Sequence, residues 1–400
     1  MKKVTVITLQ NVRNYGSVLQ AVATQKVFED LGCQVDFINY VKDGLLSSKF
    51  QRIKLWVEKR NIFQKVIYGI LLYPTFVRED RMFPRFLNKY LNQQDKVYGT
   101  EESFKKIKID SDIYCTGSDQ VWNSGWNGGI LKPLFLSFVP DNVKKIAYSA
   151  SFGKPQLDDW EKEETRKLLQ RYSAISVREK SAVNICEDLG LPSVTHVLDP
   201  TLQVNKDFWM SLLTESQRVR TDKGKYVLVY QLNSNREFDR YAKEFAKRKG
   251  WKLVRFCLRY DQIVRPGKSI LIPEVTDFIS LIANAGCVIT DSFHGTAFCC
   301  NLNTPMICIY PNEFSSRLAS LLQLTGLEQR HLKEYNDFSY VEKTNVDFER
   351  VNSILNQERA KGVVGKVARI AGQQRIVVEI SGLCLVATAY IPTDFIEIVK

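Results

Sequence analysis

The chain has 400 residues, more than a single compact core usually contains, so two domains with additional segments are expected. Its 44% hydrophobic and 25% charged content is that of a globular protein and excludes a fibrous or largely disordered chain. The net charge of +12 favours anionic partners.

The first residues predict a strand-helix-strand unit. KVTVITL (3–9) is apolar and β-branched, the polar loop QNVRNYGS follows, and SVLQAVATQKVFEDLG (17–32) has apolar residues at helical spacing. The start of the chain is therefore interpreted as a first strand and not as an export signal. CQVDFINY (33–40) predicts the second strand, which places the polar loop at the carboxyl end of the first, where open α/β sheets bind ligands.

Residues 42–108 are predicted to form a basic helical insert. They contain 15 Lys or Arg against 7 Asp or Glu, interleaved with aromatic residues. This composition fits a solvated helical surface, or a surface that binds anionic lipid headgroups or polyphosphates. No recognised nucleic-acid-binding motif lies here, so no nucleic acid is expected. The most apolar run is interrupted by Pro74 and is too short to cross a bilayer. We therefore expect a cytoplasmic protein, and the basic aromatic surface suggests peripheral contact with an anionic membrane.

Strands ending in polar loops recur through the rest of the chain. SDIYCTGSDQVWN, KKIAYSASFG, SAISVREK and VTHVLDPTL each pass from an apolar strand into Ser, Asp, Gly or Arg. After the polar linker LLTESQRVRTDKGKY, a second alternating unit begins with YVLVYQL and runs through CVIT, DSFHGTAFCC and PMICIY to the helix SSRLASLLQLTGL. This order predicts an α/β fold with two halves facing a cleft, at 1–215 and 225–345. Residues 361–400 are strand-like and predict a β-rich tail.

The nine cysteines predict neither a disulfide framework nor a metal site, because no CxxC pair occurs and only three histidines are present. Cys299 and Cys300 follow His294, but adjacent side chains on a helix diverge. They are predicted to be core residues.

The ordered stretches NYGSVLQA, TGSDQVWN, SVREKSA, LDPTL and TDSFHGTAF resemble the polysaccharide pyruvyl transferase family over residues 1 to about 345. The resemblance implies two Rossmann-like domains arranged as in GT-B glycosyltransferases, with the acceptor on the first and the donor on the second. It also implies transfer of a pyruvyl group from phosphoenolpyruvate, used as a substrate without a further cofactor, onto a saccharide as a ketal. Capsule or exopolysaccharide assembly is the expected setting, and the acceptor is expected to be a saccharide, with lipid linkage left open.

The resemblance also implies roles for individual residues. His294 is the expected general acid, Asp119 and Asp291 are expected bases or orienting groups, and Asp291 is alternatively a helix cap. Arg178 and Arg317 are expected to hold the donor's anionic groups. The remaining candidate binding residues lie in the same motifs and are Asn14, Tyr15, Gly16, Ser17, Gly117, Ser118, Ser292 and Gly295.

One position departs from the family pattern. Some members have an arginine two residues before the histidine, where this chain has Ser292. Either Arg178 and Arg317 supply that charge, or the donor is handled differently. Two other functions stay open: a sugar-nucleotide-dependent glycosyltransferase of similar architecture, and a non-catalytic binding or regulatory protein.

The tail resembles a different family. KGVVGKVARIAGQQRIVVEISGLCLVATAYIPTDFIEIV is similar to part of the KOW-type barrel of NusG-like transcription factors. This resemblance implies either a small module, the one part of the chain that could contact the transcription machinery, or a dispensable remnant.

Overall fold

The computed structural model describes residues 1–42, 49–58, 61–191, 193–311, 315–343, 345–361, 364–370, 373–380 and 385–389. Its framework is a pair of parallel sheets, each covered by helices on both faces. The strands of the first sheet are β1 (Lys3–Ile7), β2 (Gln34–Tyr40), β3 (Gln93–Tyr98), β4 (Ile113–Thr116), β5 (Lys144–Ala150), β6 (Ala174–Val177) and β7 (Val194–His196). They lie in the order β3-β2-β1-β4-β5-β6-β7.

The helices of the first domain are α1 (Tyr15–Asp30), α2 (Lys49–Val57), α3 (Ile62–Tyr90), α4 (Glu101–Phe104), α5 (Ser124–Asn127), α6 (Asp159–Leu169), α7 (Lys180–Asp188), α8 (Pro200–Gln203) and α9 (Lys206–Ser211). Helices α1 to α7 lie in the crossovers between these strands, and α8 and α9 follow the last strand. A short helix, α10 (Glu215–Arg218), lies in the segment predicted to be a linker.

The second sheet has the order β10-β9-β8-β11-β12, again entirely parallel. Its strands are β8 (Tyr226–Tyr230), β9 (Lys252–Cys257), β10 (Lys268–Leu271), β11 (Cys287–Thr290) and β12 (Met306–Cys308). Its helices are α11 (Arg236–Lys249), α12 (Val275–Asn284), α13 (Phe293–Leu302), α14 (Ser315–Thr325) and α15 (Phe348–Lys361). The predicted fold class, two Rossmann-like domains facing a cleft in a GT-B-like arrangement with a β-rich tail, is confirmed.

The tail forms a third, antiparallel sheet of β13 (Val364–Ile370), β14 (Gln373–Ile380) and β15 (Leu385–Ala389). The rest of the predicted tail, residues 362–363, 371–372, 381–384 and 390–400, lies outside the described residues. The strands alone do not show a KOW-like barrel.

Aromatic packing joins the two domains. Tyr15, at the start of α1, packs against Phe83 of α3 and against Phe256 and Phe278 of the second domain at ring-centroid distances of 5.2, 4.8 and 5.8 Å. Its hydroxyl donates a 2.6 Å hydrogen bond to the Pro273 carbonyl. The start of α1 is therefore fixed against both domains.

Two parts of the sequence fold differently from the predictions. The basic insert is not wholly helical, since it also contains β3, an edge strand whose half-exposed QQDKVY lacks an apolar pattern; its residues 43–48 and 59–60 lie outside the described part. Helix α15 was not predicted. It returns to the first domain, where Arg359 donates a 2.8 Å hydrogen bond to the Leu202 carbonyl.

Candidate active site

The site lies where the strand order reverses in both sheets. In the first sheet the connections that follow the parallel neighbours β1 and β4 run to opposite sides, and in the second sheet those that follow β8 and β11 do the same. Each reversal opens a crevice at the carboxyl ends of the two strands. The two crevices face each other across a cleft of about 640 Å³. Side chains of both domains border it, among them Asn14, Ser17, Asp119, Gln120, Trp126, Asn233, Asp291, Ser292, Phe293, His294, Tyr310 and Arg317.

His294 occupies the first turn of α13, directly after β11. Ser292 caps this helix, because its Oγ accepts a 3.2 Å hydrogen bond from the Gly295 amide. The His294 ring packs edge-on against Gly16 of α1, where a Cβ would come within 2.0 Å of His294 Nδ1. A glycine in the first domain thus makes room for the histidine of the second.

The imidazole of His294 is neutral in this structure. Burial lowers its pKa to about 4, and the neighbouring Asp199 only partly offsets this effect. His294 Nε2 lies 3.9 Å from Asp199 Oδ2, too far for a hydrogen bond, and no other described residue provides it with a partner. To act as a general acid, His294 must therefore first take up a proton, which requires a change in its surroundings that raises its pKa.

Arg178 lies beneath the cleft and is not among the side chains that border it, so its direct contact with a donor stays a prediction. Its side chain is completely buried, and its Nη1 donates to Asp199 Oδ2 at 2.7 Å and to Ser118 Oγ at 3.3 Å. Burial alone would lower the pKa of Arg178, but Asp199, Asp119 and Glu179 together raise it. It is thus a permanently charged group that fixes Asp199.

Asp119 borders the cleft at the end of the loop after β4. Its backbone has a φ of 81°, a left-handed conformation that aspartate tolerates better than most residues. Its carboxylate accepts hydrogen bonds from Ser17 Oγ at 2.5 Å and from the Gln120 amide at 2.8 Å. Burial would raise the pKa of Asp119, but the charge of Arg178 and the hydrogen bonds from Ser17 and the Gln120 amide keep it below its usual value, so Asp119 is ionised.

Arg317, in the first turn of α14, is the arginine that borders the cleft. Its guanidinium carbon lies 5.6 Å from the centroid of the Phe293 ring, and Arg178 lies 5.1 Å from the same centroid. Burial and the charge of Arg178 lower its pKa to about 10, so it is still protonated at neutral pH. Within the described part of the chain, its buried Nε has no hydrogen-bond partner.

Asp291 ties two loops of the second domain together. Its carboxylate accepts hydrogen bonds from the amides of Leu232 and Asn233 at 2.7 and 2.8 Å, and a third from Asn233 Nδ2. It does not cap α13, since Ser292 does. Both carboxylate oxygens are occupied, which makes an orienting role more suitable for Asp291 than that of a base.

The other predicted binding residues fall into two groups. Asn14, the N-cap of α1, and Ser17 border the cleft. Tyr15 lies in the domain interface instead, Gly16 packs against the histidine, and Gly117, Ser118 and Gly295 are packed beneath the surface. A Cβ on Gly295 would meet Thr290 Oγ1 at 2.6 Å, so its role is close packing.

Two residues of the site were missed from the sequence. Asp199 lies in the motif LDPTL and is buried beneath the cleft, and its approach to His294 joins segments 95 positions apart in the chain. Trp126 is 56% exposed at the cleft, and its only local signal was the tryptophan in NSGWNGG. In the described part of the chain no group of three or more potential metal-ligating side chains occurs.

Fold and site together describe a two-domain α/β protein with a polar cleft between its Rossmann-like domains. The chain belongs to the polysaccharide pyruvyl transferase family, whose sequence model matches residues 14–313. No curated protein matches the sequence.

Solved structures share the general fold at low identity. A Listeria monocytogenes protein described as a UDP-N-acetylglucosamine 2-epimerase has 11% identity and a TM-score of 0.49, covering 90% of each chain. A UDP-GlcNAc 2-epimerase of Methanocaldococcus jannaschii has 13% identity and a TM-score of 0.47, covering 90% of this chain and 94% of that one. The E. coli heptosyltransferase WaaC has 11% identity and a TM-score of 0.37, covering 89% and 99%. At these values the likeness says nothing about ligands.

Proposed function

We propose that the protein transfers the pyruvyl group of phosphoenolpyruvate to a saccharide as a cyclic ketal, in capsule or exopolysaccharide assembly. The observation that carries this proposal is the convergence of unpaired N–H groups and a histidine on one cleft. Arg317 Nε and His294 Nε2 are buried and find no hydrogen-bond partner among the residues that the structure describes. A small, doubly anionic ligand would satisfy such groups.

Two helix N-termini add to this preference for an anion. Helix α1 begins at Tyr15 and α13 at Phe293, and residues of both first turns border the cleft. Each N-terminus has a partial positive charge, while the side chains of Asn14 and Ser292 already accept hydrogen bonds from amides of Gly16, Ser17 and Gly295. Phosphate and carboxylate groups are therefore favoured between the two domains.

His294 is the proposed proton donor. When the anionic donor binds, its negative charge raises the pKa of His294 above the value of about 4 in the empty site, and the imidazole takes up a proton. That proton passes to the methylene carbon of phosphoenolpyruvate, and the adjacent carbon accepts a sugar hydroxyl. The carbon–oxygen bond to phosphate then breaks, and a second hydroxyl of the sugar closes the ketal.

Asp119 is the proposed base for the attacking hydroxyl. It is ionised, and Ser17 and the Gln120 amide hold its carboxylate at the cleft. The two sugar hydroxyls each release a proton. One of these protons returns to His294, and the other leaves with the phosphate, so the reaction balances. Arg317, the cation that borders the cleft, is the proposed counter-ion of the donor, in place of the arginine that Ser292 replaces.

The test is incubation of the full chain with phosphoenolpyruvate and a panel of saccharide acceptors, with phosphate release and product mass as readouts. We expect acceptor-dependent phosphate release and a product heavier than the acceptor by a pyruvyl ketal. Release of UDP from UDP-sugars under the same conditions would identify a glycosyltransferase. Binding of a ligand without turnover of any substrate would identify a non-catalytic protein.

A further inference from the structure

Helix α3 presents an apolar stripe to solvent. Of the fifteen large apolar side chains exposed in the described residues, seven lie between Leu55 and Tyr73. Six of them belong to the first half of α3, namely Ile62, Phe63, Val66, Ile67, Ile70 and Tyr73, with exposures from 39% to 83%. Such a concentration on one surface element is unusual for side chains that remain in water.

The six side chains share one side of the helix. At 100° per residue, their positions fall within an arc of about 140°. The opposite side of α3 is already covered, because Leu72 and Phe76 pack with Val57 of α2 in a small buried cluster. The exposed stripe is therefore not needed for the packing of α3 on α2.

The stripe is flanked by positive charge. Residues 49–73 contain six Lys or Arg and a single acidic residue, Glu58. Lys54 and Lys65 are exposed, and Lys65 lies about 60° beyond one edge of the stripe. An apolar stripe bordered by lysines matches the interface of an anionic bilayer, where apolar side chains enter the acyl boundary and lysines reach the headgroups. A second copy of the chain would instead place two such positive faces against each other.

The helical hairpin of α2 and α3 is also fixed to the cleft. Asp80 of α3 pairs with Arg52 of α2 at 3.0 Å and with Arg13 at 2.6 Å, and Arg13 immediately precedes the α1 N-cap Asn14. If α3 binds to a surface, the acceptor side of the cleft is therefore held at a fixed position relative to that surface. No helix in the described residues is long and apolar enough to cross a membrane.

We infer that the exposed face of α3 docks the protein on anionic lipid bilayers. This inference concerns location and goes beyond the proposed reaction, and its test requires neither donor nor acceptor. The full chain is sedimented with vesicles of phosphatidylcholine alone or with 30% phosphatidylglycerol. We expect binding that is strong only with phosphatidylglycerol and falls as salt is raised.

The apolar contribution is tested with Phe63→Gln/Ile70→Gln. Both side chains are more than two-thirds exposed, at 74% and 68%, so the fold should not change. We expect affinity for the anionic vesicles to fall at least tenfold. The matched control is Trp160→Gln/Val219→Gln, which removes two similarly exposed apolar side chains elsewhere, at 63% and 73%, and should bind like the unmodified protein.

The charge contribution is tested with Lys54→Gln/Lys65→Gln against Lys243→Gln/Lys247→Gln, a pair of exposed lysines on α11. We expect about a fivefold loss per lysine for the first pair only. Absence of vesicle binding, equal binding to neutral vesicles, or equal effects of test and control variants would overturn the inference. A dimer in solution that the Phe63→Gln/Ile70→Gln variant dissociates would also overturn it, by making a second copy the occupant.

Discussion

His294 combines two properties that seldom occur together, a position bordering the cleft and almost complete burial, with 8% of its surface exposed. Replacement by Asn keeps a polar group of similar size, so folding should be preserved. We expect turnover to fall about a hundredfold or more, the usual cost of losing a general acid. His196→Asn, at a histidine outside the cleft, is the control, and thermal unfolding should be similar in both variants. Equal losses of activity in the two would count against the assignment.

The pKa of His294 leads to a prediction about pH. Because burial lowers it to about 4, the free protein has a neutral imidazole at pH 7, and binding of the anionic donor should raise that pKa. Binding therefore takes up protons, and affinity should rise as pH falls through the pKa of the bound state. Calorimetric titration with phosphoenolpyruvate in buffers of different ionisation enthalpy measures this uptake. The donor's own phosphate titrates near pH 6, so His294→Asn gives the background, and an unchanged uptake in that variant would contradict the prediction.

The contact between Gly16 of the first domain and His294 of the second can be tested by adding a single methyl group. A Cβ there would come within 2.0 Å of His294 Nδ1, so Gly16→Ala must move the imidazole. We expect a loss of activity of tenfold or more, with a stability cost of about 1–3 kcal/mol from overpacking. Gly69→Ala is the matched control, since its Cβ would lie 3.9 Å from its nearest neighbour. Normal activity in Gly16→Ala would mean that the histidine position does not matter for catalysis.

At the scale of elements, helix α5 places an aromatic side chain at the edge of the cleft. Asn123 caps this short helix by accepting a 3.0 Å hydrogen bond from the Trp126 amide, and the indole is 56% exposed. Flat aromatic surfaces bind the apolar faces of sugar rings, so Trp126→Ala should raise the KM for the saccharide about tenfold and leave that for phosphoenolpyruvate unchanged. Trp160→Ala, with an equally exposed indole outside the cleft, is the control. A rise in the KM for both substrates would contradict a specific acceptor contact.

Elements with strong local patterns were predictable, and elements defined by tertiary packing were not. The apolar, β-branched sequence of β1 and the motif around His294 were enough to predict the two domains. They also predicted where the site lies, because the carboxyl ends of parallel strands meet at one edge of a sheet. β3 was missed because its exposed polar residues show no alternation. The burial of Arg178 was also missed, since a strand-end arginine favours a ligand contact, and its ion pairs with Asp119 and Asp199 join segments that are distant in the chain.

At the scale of the whole molecule, the two domains depend on contacts that cross between them. The Tyr15 hydroxyl donates a 2.6 Å hydrogen bond to the Pro273 carbonyl, inside an aromatic cluster drawn from both domains. Tyr15→Phe removes this bond and a weak 4.0 Å hydrogen bond to Met82 Sδ, and we expect a loss of about 1 kcal/mol in the free energy of unfolding. Denaturant titration measures it, with Tyr90→Phe, at a tyrosine less buried, as the comparison. An unchanged stability would mean that the aromatic packing suffices.

The C-terminal part of the chain divides at Lys361 into a helix that completes the core and a tail that forms its own sheet. Val351 and Leu355 of α15 are 1% and 0% exposed, and each such side chain contributes about 1.5–3 kcal/mol on burial. A chain ending after Asp347 should therefore lose roughly 3–6 kcal/mol, close to the whole stability of many domains. Strands β13 to β15 pair with one another, so a chain ending after Lys361 should match the full chain in unfolding midpoint and turnover. If instead this second truncation lowers either quantity, the tail contributes to the enzyme, and its resemblance to a separate module is no guide to its role.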